Sequence, residues 1–169
     1  MRQVTSPRDR CIALIPDYAG ARISEVVRLD VGDVRRSARK GVLRIHGKGD
    51  KVREVPIHAK LRSGLEQWLT ERAAWPGAGT SPALFLNTKG GRLSARAAGG
   101  IIAAIAEQAA LDDDPTAHVL RHTFATSLVR GQTDLVVVAE LLGHSRLDTT
   151  RQYSNPRELH QTGAFALVA

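Results

Sequence analysis

A mainly α domain with a small β-hairpin or sheet (α+β) is the fold class this sequence predicts, and three observations predict it. Aromatic residues make up only 4% of the chain, so the core must be built from Ala, Leu, Val and Ile, which suits packed helices. Apolar residues recur at helical spacing through most of the length. A single stretch, GVLRIHGKGDKVREVPI, breaks that rhythm with two β-rich runs around a glycine-containing turn. With 169 residues the chain is expected to form one domain with a real core.

The elements follow in order. SPRDRCIALI starts a helix, with Ser6 as N-cap, Pro7 at the first helical position and Asp9 near the positive end of the dipole. Pro16 is expected to kink or end that helix. GARISEVVRLDVGDV carries a short helix with Ile23, Val26 and Val27 on one face. Runs 42–46 and 51–57 form the hairpin around Gly47-Lys48-Gly49-Asp50. Residues 58–73 return to helix through Leu61, Leu65, Trp68 and Leu69, and a loop, a short extended ALFLN and the turn TKGGR follow. Ser94 caps a helix through residue 110, with Ile101, Ile102, Ile105 and Ala109 inward. Gly99-Gly100 weakens that helix by about 1 kcal/mol per glycine relative to alanine. Asp112-Asp113-Asp114-Pro115 ends it.

Three further helical pieces are predicted. The first spans 118–130 (Leu120, Phe124 and Leu128 inward), the second 134–142 (Leu135, Val138 and Leu141 inward), and the third 146–153, with Ser145 as a cap.

The net charge of +7 suggests a polyanionic partner, since neutralising phosphates releases counterions. The lone cysteine, Cys11, excludes an internal disulfide, fits a reducing compartment and reads as a small core residue. No run of 18 or more apolar residues exists and MRQVTSPRDR has no signal-peptide apolar stretch, so the expected location is cytoplasmic, with no membrane partner.

HVLRH places His118, Arg121 and His122 within two turns of one helix. An arginine there can present its fork to a phosphate and a histidine beside it can move a proton. A plain amphipathic surface would account for the same five residues. The i, i+4 spacing of His118 and His122 also matches a zinc-ligand pair. However, Val119 stands where the zinc-protease motif has Glu, so neither metal nor cofactor is expected.

HVLRHTFATSLVRG, then LLGH, then TTRQY resembles the C-terminal signature of the tyrosine recombinase (phage integrase) family, nearest its Xer-like bacterial members. Upstream, AGARISEV is similar to the family's first arginine box, and GKGDKVREVPI to its lysine-bearing hairpin. The matches stand in family order from about residue 10 to 156. The resemblance implies the tyrosine recombinase catalytic-domain fold over 1–156 followed by a C-terminal tail over 157–169; the N-terminal core-binding domain that family members normally carry is expected to be absent. Two local departures are Pro16, where relatives have an unbroken apolar helix, and Ala21, where they carry a larger apolar residue.

By the same resemblance Tyr153 attacks a DNA phosphodiester, giving a 3′-phosphotyrosine link and a free 5′-hydroxyl. Arg22 and Arg121 clamp the phosphate, His144 hydrogen-bonds it, His118 assists proton transfer, Lys48 protonates the leaving oxygen and Glu25 orients the site. The chemistry is coherent without metal: guanidinium groups can hold charge on the non-bridging oxygens, and a tyrosyl ester keeps the bond energy for rejoining. Simpler roles stay open for Glu25, as the partner of a nearby arginine, and for Lys48, as a turn lysine touching backbone phosphate. The implied partners are double-stranded DNA and further copies of the chain, as a tetramer on DNA. The alternative function is a non-catalytic, truncated DNA-binding remnant of an integrase.

Overall fold

The computed structural model describes residues 5–37, 40–109 and 116–143. The expected helix over 146–153, its cap Ser145 and the candidates His144 and Tyr153 lie outside the described residues.

Helix α1 spans Pro7–Ala19, and its start is as the sequence predicts: the Ser6 hydroxyl accepts from the Asp9 N–H at 3.2 Å, with Pro7 just inside. Of the two outcomes expected at Pro16, a kink or an end, the helix does not end there. The ring removes one backbone donor, but the apolar face on either side is buried and carries the helix one turn further. The stop is Gly20, at φ +61°, whose N–H reaches back to the Pro16 carbonyl at 3.1 Å. The chain then turns directly into α2 (Ile23–Arg28).

A short 3-10 turn, Val31–Asp33, leads to the small sheet, which is three-stranded and antiparallel and adds one strand to the hairpin of the sequence reading. Strand β1 (Val34–Arg36) is the addition; it is short, charged and half-exposed, with too few residues for an alternating pattern to declare itself. It pairs with β2 (Gly41–His46), and β2 pairs with β3 (Val52–Pro56), Ile45 standing opposite Arg53 and His46 opposite Val52. Leu43, Ile45 and Val55 point into the core, and that alternation of buried residues sets the register of the hairpin.

Helix α3 (Ala59–Arg72) buries Leu61, Leu65 and Trp68 completely, as its spacing predicts. The extended ALFLN forms only isolated bridges, Asp30 with Ala83 and Leu86 with Arg92. It is held instead by side chains: the Trp68 indole donates to the Leu84 carbonyl at 3.0 Å, and the buried Arg72 donates to the carbonyls of Ala83 and Ser81. Arg92 donates to the carbonyls of Val27 and Leu29, which pins the end of α2 to this loop.

Ser94 caps α4 (Ala95–Gln108), whose inner face is Ala98, Ile102, Ile105 and Ala106; Ile101 and Ala109 are only partly covered. Thr116 caps α5 (Ala117–Arg130) and Asp134 caps α6 (Leu135–Leu142). Leu120 is buried, while Phe124 and Leu128 are partly covered. On α6 the buried side chains are Val138, Ala139 and Leu142; the expected Leu135 and Leu141 are half-buried, because the helix packs one position round from the face its first leucine suggests.

Helix α1 is the central element, packing against α3, α4 and α5. Cys11 lies at its buried centre with no exposure, and burial pushes its thiol up to about 12, despite the opposing charge of Arg10. Tyr18 packs at the core edge with its ring stacked on His58 at 4.8 Å. Among the described residues no helix is long and apolar enough to cross a membrane.

Candidate active site

The turn between α1 and α2 places Arg22. Gly20 occupies the left-handed region, and a Cβ there would lie 2.5 Å from the Phe124 ring, so glycine is needed for both conformation and space. Ala21 is fully buried in the core at the spot where its small size was noted. Arg22 then becomes the N-cap of α2 with its side chain 47% exposed, and its backbone N–H donates to Glu25 Oε2 at 2.8 Å. Glu25 thus supplies the reaching-back half of a capping box.

Glu25 is the hub. Only 5% exposed, its carboxylate accepts from Arg22 Nη1 at 3.1 Å and from Arg53 Nη1 and Nη2 at 3.1 and 2.7 Å, while Arg121 Nη1 stands 4.0 Å away. Burial pushes its pKa up, but the hydrogen bonds from Arg53 and the Arg22 backbone, with the charges of both arginines, outweigh burial and hold the carboxyl below its ordinary value. Three guanidinium groups against one carboxylate leave a surplus of positive charge. A phosphodiester gains negative charge on its non-bridging oxygens as it is attacked, and such a surplus stabilises that gain.

Sequence reasoning missed Arg53. It lies on β3 at a half-buried position, 11% exposed, forks onto Glu25 and donates from Nε to the Leu141 carbonyl at 2.8 Å. The available signal was an arginine in the lysine-bearing hairpin motif itself, GKGDKVREVPI, which the strand reading absorbed as an ordinary alternating residue. Arg53 also gives Gly143 a reason. At φ +66° this glycine closes α6, and a Cβ would lie 2.9 Å from Arg53 Nη1.

Arg121 is buried, 4% exposed, beneath this group. It donates from Nη1 to the Gly20 carbonyl and from Nη2 to the Leu142 carbonyl at 2.7 Å, so it ties the Arg22 turn to the end of α6. His118, one turn earlier on α5, is exposed. Spacing placed the two residues side by side, but tertiary packing draws only the arginine inward.

Lys48 sits at the hairpin tip in a short 3-10 turn, Lys48–Asp50, with Gly49 at φ +70° and the Gly47 N–H closing onto the Lys51 carbonyl at 2.8 Å. A cleft of about 1030 Å³ runs between tip and helices, and its walls include Arg22, Glu25, Arg28, Lys48, Lys51 and Arg53. The described residues therefore bring Arg22, Glu25 and Lys48 to one cleft, with Arg121 beneath and His118 outside its lining. Among the described residues no group of three or more His, Cys, Asp or Glu could hold a metal ion.

Comparison with known proteins places the chain in a family. The family model described as the phage integrase family matches residues 2–160. Tyrosine recombinase XerD of Corynebacterium glutamicum is 43% identical over 148 residues, which cover 88% of this chain and 48% of that protein. XerD of Mycobacterium leprae is 40% identical over 152 residues, covering 87% and 48%. The chain spans about half the length of these curated relatives. Among solved structures, the XerH site-specific recombinase bound to difH substrate superposes with a TM-score of 0.78 at 35% identity, covering 90% of this chain and 44% of that one. XerA recombinase gives 0.81 at 28% identity, covering 92% and 57%.

Proposed function

Because the chain belongs to the phage integrase family, we propose that it cleaves and rejoins DNA strands through a tyrosyl intermediate, as in site-specific recombination. The observation that carries this reading is the cleft in which Arg22 and Arg53 share the buried Glu25 while Lys48 lines the same space. Guanidinium groups gathered round one buried carboxylate at a cleft support reading it as a phosphodiester site.

In the proposed reaction the phosphate enters against Arg22, whose guanidinium is aimed by Glu25, and the charge of Arg121 beneath adds to the field. The Tyr153 phenolate attacks phosphorus, forming the 3′-phosphotyrosine bond as the bond to the 5′-oxygen breaks. Lys48 delivers a proton to that oxygen, His144 hydrogen-bonds the phosphate and His118 assists proton transfer. Reversal by an incoming 5′-hydroxyl reseals a strand with no outside energy source. Double-stranded DNA is the proposed partner, several copies of the chain the proposed assembly and the cytoplasm the proposed location. The domain reading stays with it: a catalytic domain over 1–156 followed by a tail.

The test is incubation of the chain with a nicked half-site duplex in EDTA, followed by a denaturing gel. A covalent protein–DNA adduct is expected, and Tyr153→Phe removes it. Salt-sensitive DNA binding with no adduct in any arm overturns the enzymatic reading in favour of a DNA-binding remnant. An adduct that requires added zinc overturns both.

A further inference from the structure

Lys48 stands at the tip of a hairpin, and a tip that moves freely cannot hold an ammonium group within hydrogen-bond reach of one oxygen. The strands entering and leaving it are each anchored by a polar side chain. On the β3 side the anchor is Arg53, which grips Glu25 and the Leu141 carbonyl. On the β2 side it is His46, the last residue of the strand, whose Nε2 lies 2.9 Å from Asp33 Oδ1. Ile45 before it is fully buried, so alternation turns the His46 ring to the other face, where it forms part of the cleft wall.

Asp33 is prepared for this contact. It is 6% exposed, and its second oxygen accepts the Asp30 N–H at 2.9 Å, which prevents the carboxylate from turning. Asp30 is held in turn by Arg92 Nη2 at 2.5 Å. A carboxylate only accepts, so the His46 Nε2 carries the hydrogen and the ring is locked in one orientation. Both anchors reach the same stretch of chain, since Glu25 and Asp33 flank the end of α2, and that stretch begins at Arg22.

We infer that His46, held by Asp33, is a positioning residue that sets the hairpin tip, and with it Lys48, at a defined place relative to Arg22. This rests on the reading of Lys48 as the group that protonates the leaving oxygen. His46 touches no reacting atom in this scheme and acts through Lys48 alone.

Two measurements on the full chain test it. The first is adduct formation on a nicked half-site with either an ordinary 5′-oxygen or a 5′-bridging sulfur at the cleaved bond; a thiolate departs without a proton. His46→Leu is expected to slow adduct formation up to ~100-fold on the oxygen substrate, the scale of a misplacement of about 1 Å. The sulfur substrate restores it, as it does for Lys48→Ala, and the double variant is no slower than Lys48→Ala. His46→Gln, whose amide can donate to Asp33, recovers most of the rate. A His46→Leu defect that the sulfur substrate leaves in place overturns the inference while the catalytic reading stands.

The second is amide hydrogen exchange without DNA. His46→Leu is expected to speed exchange at Gly47, whose N–H closes the tip, with Leu43 and Ile45 unchanged and His46→Gln like wild type. Unchanged Gly47 exchange in His46→Leu overturns the inference whether or not DNA is cut. A wild-type chain that forms no adduct on either substrate overturns the catalytic reading, and the exchange result then decides the anchoring role separately.

Discussion

At Glu25 burial and charge act in opposite directions, and the balance depends on Arg53. Removing one partner of a buried pair leaves the other uncompensated, so Arg53→Ala is expected to destabilise the fold by ~3–5 kcal/mol in urea unfolding. The pH dependence follows with a definite sign. The folded Glu25 carboxyl titrates below its ordinary 4.5, so its stabilisation is complete above that value and is lost as pH falls through the lower folded value. Arg53→Ala removes Arg53's share of that lowering, and acid unfolding should then begin at higher pH. Asp17 behaves in the opposite way: burial pushes it up to about 6, so its ionisation costs stability at neutral pH and that cost fades as pH falls towards 3.8. Asp17→Asn is therefore expected to be more stable than wild type at neutral pH. The difference should vanish below the ordinary carboxylate value, as followed by urea midpoints across the pH range.

At the scale of elements, two junctions are each decided by a single glycine. Gly20 and Gly143 both close helices in the left-handed region and both lie against site residues or their supports. Gly20→Ala is expected to cost at least ~1–2 kcal/mol from backbone conformation alone, with the Phe124 clash adding to it. Gly99 and Gly100 are different. They lie inside α4, and an added Cβ meets nothing within 4 Å at either position. Alanine at both is expected to raise stability by about 1 kcal/mol each, read as a higher urea midpoint. The hairpin is an element whose strands are specified by alternation and whose tip is specified by its two polar anchors.

At the scale of the molecule, a net charge of +7 gathers arginine and lysine at the cleft, and that has a thermodynamic signature. Each phosphate neutralised by a side chain adds about one unit to the slope of log affinity against log salt. Lys51 is exposed on the cleft wall, whereas Lys60 is exposed on α3 away from it. By fluorescence anisotropy with a short duplex, Lys51→Ala is expected to reduce the slope by about 1 while Lys60→Ala leaves it unchanged. Equal slopes for the two variants would count against the cleft as the DNA path.

The sequence by itself determined the helical class, the caps at Ser6 and Ser94, the hairpin register and the family, because those signals are local: a cap needs one side chain, alternation needs one strand, and a motif needs only order. It also nominated Arg22, Glu25 and Lys48, which the fold gathers at one cleft. Only the tertiary structure decided what those residues touch. Arg53 reads as an ordinary strand arginine in a linear reading, and the motif that nominated Arg121 does not say that its side chain is buried or which groups it meets. Their roles arise because β3 and α5, distant in sequence, meet at the buried Glu25, and a buried carboxylate must gather cations to stay ionised. Likewise β1 and the Asp33–His46 contact depend on a pairing between segments that no local period encodes. The chemistry was legible residue by residue; its aim came from long-range contacts that exist only once the chain has folded.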